Sequence, residues 1–302
     1  MNYKKYLDTQ IKKIESNLNS RTKNNDFEFF YNCINDFIEN DKEEFIQAFT
    51  EFGMPFENKY YIPGILQKIF YVRSEIKIVE FSKKYDNESF IKLLDAYYWL
   101  NMAFMKGYKD SQELKGEFFQ DTVFASLLAY CFYPQALEGT LDYLYAEYYE
   151  LLKNESERIA PGKRKYDKYY GYADIFQLLQ SLISNDYNNS FKEMLTVSAD
   201  KSYEFIINNY LSEDPNVVNE VLEKMAAFHI NNKGESYLDT FNHDCWKIFP
   251  LEMISILIAR RKKGLSNEGI SHLLISHFLP FIFEVEALPD DELTKRLESK
   301  II

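Results

Sequence analysis

The chain has 302 residues, of which 46% are hydrophobic and 17% aromatic, and its formal net charge at pH 7 is −12. A chain of this length and apolar content can bury a sizeable core, as one large domain or two modest ones. The negative charge argues against binding to nucleic acids or anionic membranes, which need basic surfaces, and favours basic partners. The scarcity of glycine (10) and proline (8) argues against a fold of many short strands and tight turns.

Apolar residues recur every three to four positions along most of the chain, which is the spacing of one buried helix face. A clear example is the run Phe90, Leu93, Leu94, Tyr97, Phe104, Met105 and Tyr108. No repeat of fixed period accompanies the pattern. The sequence therefore predicts an all-α protein, built as an irregular bundle or as a solenoid-like stack of antiparallel helical hairpins.

In chain order, helices are expected over residues 2–18 and from Asp26 onward. Asp41 and Glu44 have the spacing of a capping box, and Gly53 is typical of a helix end, so a third helix is expected between them. After a connection over residues 55–64, further helices of the N-terminal half are predicted around residues 65–79, 90–107, 124–131 and 137–151.

The segment from Arg158 to Lys165 contains a Pro-Gly pair and four basic residues, which is typical of a linker. It provides a boundary between an N-terminal helical half, residues 1–157, and a C-terminal helical half, residues 166–302, although one continuous domain is the alternative. Beyond it, helices are predicted near residues 170–184, 191–195, 199–211, 215–231, 251–263 and 290–299, with a short element near 272–283.

The densest acidic charge lies between Asp26 and Tyr60, where nine acidic residues stand against only Lys42 and Lys59. Phenylalanine and tyrosine residues are interleaved with these carboxylates. Aromatic anchors with a rim of carboxylates suit the capture of a basic protein. A charge surplus that serves only solubility is the alternative interpretation. The residues expected to contact the partner are Glu39, Asp41, Glu43, Glu44, Phe45, Phe49 and Glu51.

Cys33, Cys131 and Cys245 are far apart in the sequence, and no CxxC pair is present. This pattern indicates neither a zinc site nor a redox pair, and it predicts buried free thiols in a reducing compartment. The N-terminal residues lack the apolar stretch of a signal peptide, and no apolar stretch is long enough to span a bilayer. The expected location is therefore the cytoplasm.

One short segment, residues 243–246, combines a histidine, an aspartate and a cysteine. Neighbouring residues on a helix point in different directions, so these side chains cannot form a catalytic triad among themselves. An aspartate that caps a helix and a buried Trp246 explain the segment instead. His229 follows an apolar helix face and is expected to be a hydrogen-bonded core histidine.

Other chemical patterns are equally weak. His272 and His277 are five residues apart, which does not fit a metal-binding pair on a helix. The acidic residues 290–292 are typical of the start of a helix. The sequence contains neither a glycine-rich phosphate loop nor the serine motif of hydrolases. We therefore expect no catalytic residue, no bound cofactor and no metal site.

The segment from Trp246 to Arg260, together with Gly264-Leu265 and His272-Leu273-Leu274, resembles the C-terminal region of helical immunity proteins from bacterial polymorphic-toxin systems, in particular immunity family forty-nine. In that family, a tryptophan precedes a helix that begins near a proline or an acidic residue. A glycine ends the helix, and a histidine-leucine-leucine stretch follows. The resemblance implies an antitoxin, which is a cytoplasmic protein that binds a cognate toxin, and it implies no catalytic residues.

Three functions are open at this point. The first is an immunity protein that neutralises a toxin by stoichiometric binding, without catalysis. The alternative is a helical scaffold or adaptor protein, also without catalytic activity, and the third is an enzyme with an active site in a helical cavity. The expected partner is a protein, namely a toxin domain under the first hypothesis, rather than a nucleic acid or a membrane.

Overall fold

The computed structural model describes residues 2–21, 26–110, 119–158, 171–184, 201–231, 241, 243–285 and 291–302. In these parts of the chain it contains twelve helices and one small sheet of two strands, so the predicted all-α class is confirmed as a helical bundle. The helices are α1 (Tyr3–Arg21), α2 (Asp26–Asn40), α3 (Ile62–Lys84), α4 (Asn87–Lys109), α5 (Phe119–Phe132), α6 (Pro134–Arg158), α7 (Gly171–Ile183), α8 (Lys201–Asn209), α9 (Pro215–Asn231), α10 (Asp244–Ile248), α11 (Leu251–Lys262) and α12 (Glu292–Ile301). The strands are β1 (Glu44–Glu51) and β2 (Met54–Tyr61).

Helix α4 lies at the centre of the bundle. Every residue from Leu93 to Gly107 is buried. A helix that is buried on all sides needs neighbours on all sides, and α3, α5, α6 and α12 pack around it. The helix begins at a capping box, in which the Asp86 carboxylate accepts a hydrogen bond from the backbone N–H of Ser89.

A polar network fastens α12 to α3 and α4. Arg73 forms ion pairs with Asp95 at 2.7 Å and with Asp291 at 2.6 Å. Thr294 donates a hydrogen bond to Asp95 at 2.9 Å and accepts one from the Trp99 indole at 3.0 Å. Asp291 also caps α12 by accepting a backbone N–H, which confirms the acidic helix start expected there.

Trp246 of α10 is fully buried, as expected, and it connects helices from both parts of the chain. Its ring packs against Phe70 of α3, Tyr97 of α4 and Phe124 of α5, with ring centroids 5.8, 4.9 and 4.8 Å away.

Of the linker expected at residues 158–165, only Arg158 is among the described residues. The helix expected near residues 191–195 lies outside the described residues. The division into residues 1–157 and 166–302 therefore stays a prediction.

Among the described helices, none is both long enough and apolar enough to cross a membrane.

The helix expected between Asp41 and Gly53 is wrong, because this region forms a β-hairpin. Asp41 has a φ of 57° instead of the extended conformation of a helix N-cap. Residues 44–51 include aromatic and β-branched side chains, which favour a strand. Gly53, with a φ of 77°, is a turn residue rather than a helix end. The connection expected over 55–64 is likewise wrong, since it contains most of β2 and the start of α3.

Candidate partner-binding site

The seven residues expected to contact a partner lie at the base of this hairpin and along its first strand. Glu39 is in the last turn of α2, and Asp41 and Glu43 lie in the link to β1. The other four, Glu44, Phe45, Phe49 and Glu51, belong to β1 itself. We call residues 44–61 the hairpin arm.

The hairpin arm is a regular antiparallel pair. Its register runs from Glu44 opposite Tyr61 to Glu51 opposite Met54. The two turn residues, Phe52 and Gly53, have φ values of 51° and 77°. Positive φ at both central positions is the requirement of a type I′ turn, whose twist matches that of the two strands.

Aromatic contacts fix the base of the arm to the bundle. Phe45 is buried, and its cross-strand neighbour Tyr60 packs against α2. The ring centroid of Tyr60 lies 5.2 Å from that of Phe30 and 6.0 Å from that of Phe29. A hairpin of two strands is marginally stable alone. The contact with α2 therefore holds the arm in place.

The outer part of the arm exposes large apolar side chains. Phe52 is 90% exposed, Ile46 58% and Met54 55%, and the stacked rings of Phe49 and Phe56 are also exposed. The register places Phe49, Phe56 and Met54 on one face of the hairpin, next to Phe52 at the tip, and Ile46 on the opposite face. A group of neighbouring exposed apolar residues such as the first four is characteristic of a protein interaction site. Of these five, the sequence-based site included only Phe49. The alternation of Met54 and Phe56 along β2 was the signal that could have identified these two residues, whereas no such alternation marks Ile46 or Phe52.

The carboxylates at the base of the arm are largely paired. Glu39, Asp41, Glu43 and Glu44 form ion pairs with Arg296, Lys300, Lys106 and Lys59, respectively. Three of these cations come from α4 and α12, which are distant in sequence, so a charge count over residues 26–60 overlooks them. Glu51 and Glu57, on the outer part of the arm, have no ion-pair partner in the described parts of the chain.

A shallow groove of about 390 Å³ continues this surface onto α2. Its lining combines apolar and polar side chains, namely Phe29, Asn32, Cys33, Asn35, Asp36, Glu39 and Phe45. Because Phe45 belongs both to the groove and to the arm, the two form one continuous surface. This surface has the apolar anchors and the polar rim that are typical of protein interfaces.

The chemically mixed segment at α10 takes part in packing. His243 is the N-cap of α10, so the expectation that Asp244 caps this helix is wrong. The His243 ring stacks on Tyr71 with centroids 4.0 Å apart, and its Nε2 lies 3.1 Å from Oδ2 of Asp121. Asp121 also accepts a hydrogen bond from the Trp246 indole at 2.8 Å. Burial opposes the charged form of His243, but the carboxylates of Asp121, Glu75 and Asp244 together outweigh burial and raise the pKa of the imidazole.

The cysteines are free thiols, and Cys33 and Cys245 are buried as expected, whereas Cys131 is half-buried. Burial raises the pKa of Cys33 to about 11 and that of Cys245 well above its ordinary value. The thiolate is the nucleophilic form of cysteine. Both thiols are therefore protonated at neutral pH and poorly suited to nucleophilic chemistry.

The other histidines have separate structural partners. His229 is confirmed as a core histidine, with Nδ1 2.7 Å from Glu252 and Nε2 2.9 Å from a backbone carbonyl. His272 lies 3.2 Å from Glu223, and His277 stacks on a tyrosine ring. Within the described residues, no group of three or more histidine, cysteine or acidic side chains could hold a metal ion.

Comparisons with known proteins identify no family for this chain. No protein-family model, no curated protein and no solved structure matches it significantly. The hairpin arm and the α2 groove are therefore the features from which a function can be inferred.

Proposed function

We propose that this protein is an immunity protein, which neutralises a cognate bacterial toxin by stoichiometric binding through the hairpin arm and without catalysis. The observation that carries this proposal is Phe52. The residue is 90% exposed at the tip of the arm, and its backbone has a positive φ of 51°. Both properties are unfavourable in the free protein.

The strain at Phe52 has a definite size. The left-handed conformation costs roughly 1–2 kcal/mol for most L-residues, and the residues that usually occupy this position of a type I′ turn are asparagine, aspartate and glycine. Strained residues of this kind cluster at sites that contact ligands. A partner that buries the phenylalanine ring removes the cost of its exposure to water, which explains why the arm has an aromatic residue there.

The charge of the protein supports a basic partner. The net charge is −12, and Glu51 and Glu57 flank the exposed apolar residues on the outer part of the arm. Complementary charge accelerates encounter and selects against wrong partners, whereas buried aromatic anchors slow dissociation. The resemblance of residues 246–274 to immunity proteins favours a toxin domain over other basic proteins, and it implies action in the cytoplasm.

Binding also accounts for the chemistry better than catalysis does. His243 and His229 contact carboxylates within the packed bundle, and the thiols of Cys33 and Cys245 are held protonated by burial. Most of the exposed large hydrophobic side chains among the described residues lie instead on the hairpin arm. A scaffold or adaptor protein would use the same surface, so the two functions differ only in the effect on the partner.

The decisive experiment is co-expression with the products of the neighbouring genes. Each product is expressed alone and together with this protein, and cell growth and one-to-one co-purification are measured. We expect one product that stops growth alone, and that becomes harmless when it is bound by this protein. Phe52→Ala should weaken protection, whereas Leu273→Ala, at an apolar position outside the arm that is 62% exposed, should not.

The outcomes separate the alternatives. A stable complex with a product that is not toxic would favour the adaptor function. No complex with any neighbouring product, or full protection by a folded Phe52→Ala protein, would contradict binding of a toxin through the arm.

A further inference from the structure

The hairpin arm has two outer edges that are open to another strand. In the described parts of the chain, the sheet consists of β1 and β2 alone, and no backbone hydrogen bond joins either edge to another segment. A hydrogen bond from the Met54 N–H to the Glu51 carbonyl closes a turn of this type, and hydrogen-bonded pairs then alternate along the ladder. The N–H and C=O groups of Ile46, Ala48 and Thr50 therefore point away from β2.

The outer edge of β2 is protected against strand addition. The same alternation places the backbone groups of Pro55, Glu57 and Lys59 on this edge. Pro55, which lies opposite Thr50, supports the assignment because proline occurs in strands where its missing donor would face solvent. Proline and lysine on an edge also hinder pairing with another strand.

The outer edge of β1 lacks this protection. Ile46, Ala48 and Thr50 are uncharged and exposed, and each offers one donor and one acceptor. Ile46 and Thr50 are β-branched, which suits them to pack beside a third strand. Glu44 and Glu51 stand at the two ends of β1, with no basic residue between them.

We infer that an extended segment of a basic protein partner binds as a third strand on the outer edge of β1. This inference rests on the proposed function and specifies how the partner is held. Backbone hydrogen bonds to the three open residues provide affinity, and a Lys or Arg side chain near Glu51, which has no ion-pair partner in the described parts of the chain, provides charge complementarity. A second copy of this chain is a less favourable occupant, because it would bring two chains of net charge −12 and their carboxylates together.

The test uses a probe that does not depend on the natural toxin. A displayed library of random ten-residue linear peptides is selected on the full-length wild-type protein, and the enriched peptides are measured against two proline variants. Ala48→Pro removes a donor from the β1 edge. Glu57→Pro, at the position opposite Ala48, removes the corresponding donor from the β2 edge, and Glu57→Gln controls for its charge. Circular dichroism and thermal unfolding verify that each variant is folded.

We expect the enriched peptides to be basic, to bind Ala48→Pro at least tenfold more weakly than wild type, and to bind Glu57→Pro as well as Glu57→Gln. Bound peptide should also slow amide exchange at Ile46, Ala48 and Thr50. Enriched peptides that bind Ala48→Pro as tightly as wild type would overturn the inference. It would also be overturned by a wild-type dimer that Ala48→Pro dissociates, because a second copy would then occupy the edge.

The same variants distinguish this inference from the proposed function. A toxin that is neutralised equally well by wild type and by folded Ala48→Pro would overturn strand addition and leave the immunity function intact. Peptides that depend on the β1 edge, in a protein that binds no neighbouring gene product, would support the edge and contradict the immunity function.

Discussion

Replacing Phe52 with asparagine is expected to stabilise the hairpin arm and, at the same time, to weaken partner binding. Asparagine enters the left-handed region more readily than phenylalanine, and Asn-Gly is the preferred pair in type I′ turns. The replacement relieves on the order of 1 kcal/mol of backbone strain. Opening of the turn should become about fivefold rarer, which is measured as slower amide exchange within the arm.

The effect on binding has the opposite sign. The ring of Phe52 is 90% exposed in the free protein, and full burial of such a side chain contributes roughly 1.5–3 kcal/mol. Removing it should weaken binding about 10- to 150-fold. This loss exceeds any gain from a better ordered arm, so affinity and local stability should move in opposite directions.

Amide exchange detected by mass spectrometry measures how often the hairpin arm opens. Titration calorimetry with the neutralised toxin measures the affinity of the protein for this toxin. The thermal unfolding midpoint should not change, because the tip of the arm lies outside the core. Leu273→Asn, which removes an apolar side chain of 62% exposure outside the arm, should alter neither quantity. Unchanged affinity in Phe52→Asn would refute the role of the ring, and faster amide exchange would refute the assignment of the turn.

Three further predictions concern the bundle and the charges. Trp246→Ala should lower the free energy of unfolding by roughly 3–5 kcal/mol in urea titrations, since it deletes a buried ring and removes the indole N–H that donates a hydrogen bond to Asp121. A loss smaller than about 1 kcal/mol would contradict the packing around this ring. Glu51→Lys combined with Glu57→Lys should slow association and reduce its salt dependence in stopped-flow measurements, with unchanged stability, and unaltered rates would place the partner elsewhere. Burial opposes ionisation of Asp244, but two lysines outweigh it and hold its pKa below the ordinary value of 3.8. This carboxylate therefore stabilises the fold above pH 3.8, and its contribution disappears as the pH falls through the lower pKa of the folded state. The Asp244→Asn protein should accordingly be less stable than wild type at neutral pH and should lose less stability than wild type when the pH is lowered. A dependence of stability on acid identical to that of wild type would contradict the ion pairs.

The helices could be predicted because their signals are local. In α4, apolar residues at a period of three to four positions and an acidic residue before the first turn are both visible in the sequence. Asp291, at the start of α12, is likewise an acidic helix start that is visible in the sequence. The burial of α4 on all sides is less evident, since it depends on which helices pack around it. The ion pairs of Arg73 with Asp95 and Asp291 join segments that are distant in the chain, and no local pattern indicates them.

The hairpin arm was not predicted because its local signals conflict. Asp41 and Glu44 have the spacing of a helix cap, whereas the residues that follow have the composition of a strand. The signal that normally identifies a two-residue hairpin is Asn-Gly or Asp-Gly, and here Phe52 occupies the first position. The residue that makes the turn hard to recognise is thus the residue to which we assign partner binding, and a local rule is broken at the proposed functional site.

Stability and partner binding are assigned to different parts of this protein. The bundle is organised around α4, whose residues from Leu93 to Gly107 are buried, whereas the arm meets the bundle through Phe45 and Tyr60 at its base. Substitutions between residues 46 and 57 therefore change side chains that contribute little to the core. This separation suits the binding mode that we propose. Backbone hydrogen bonds along β1 would tolerate sequence change in the partner, while Phe52 and the carboxylates on the outer part of the arm would determine which partner is selected.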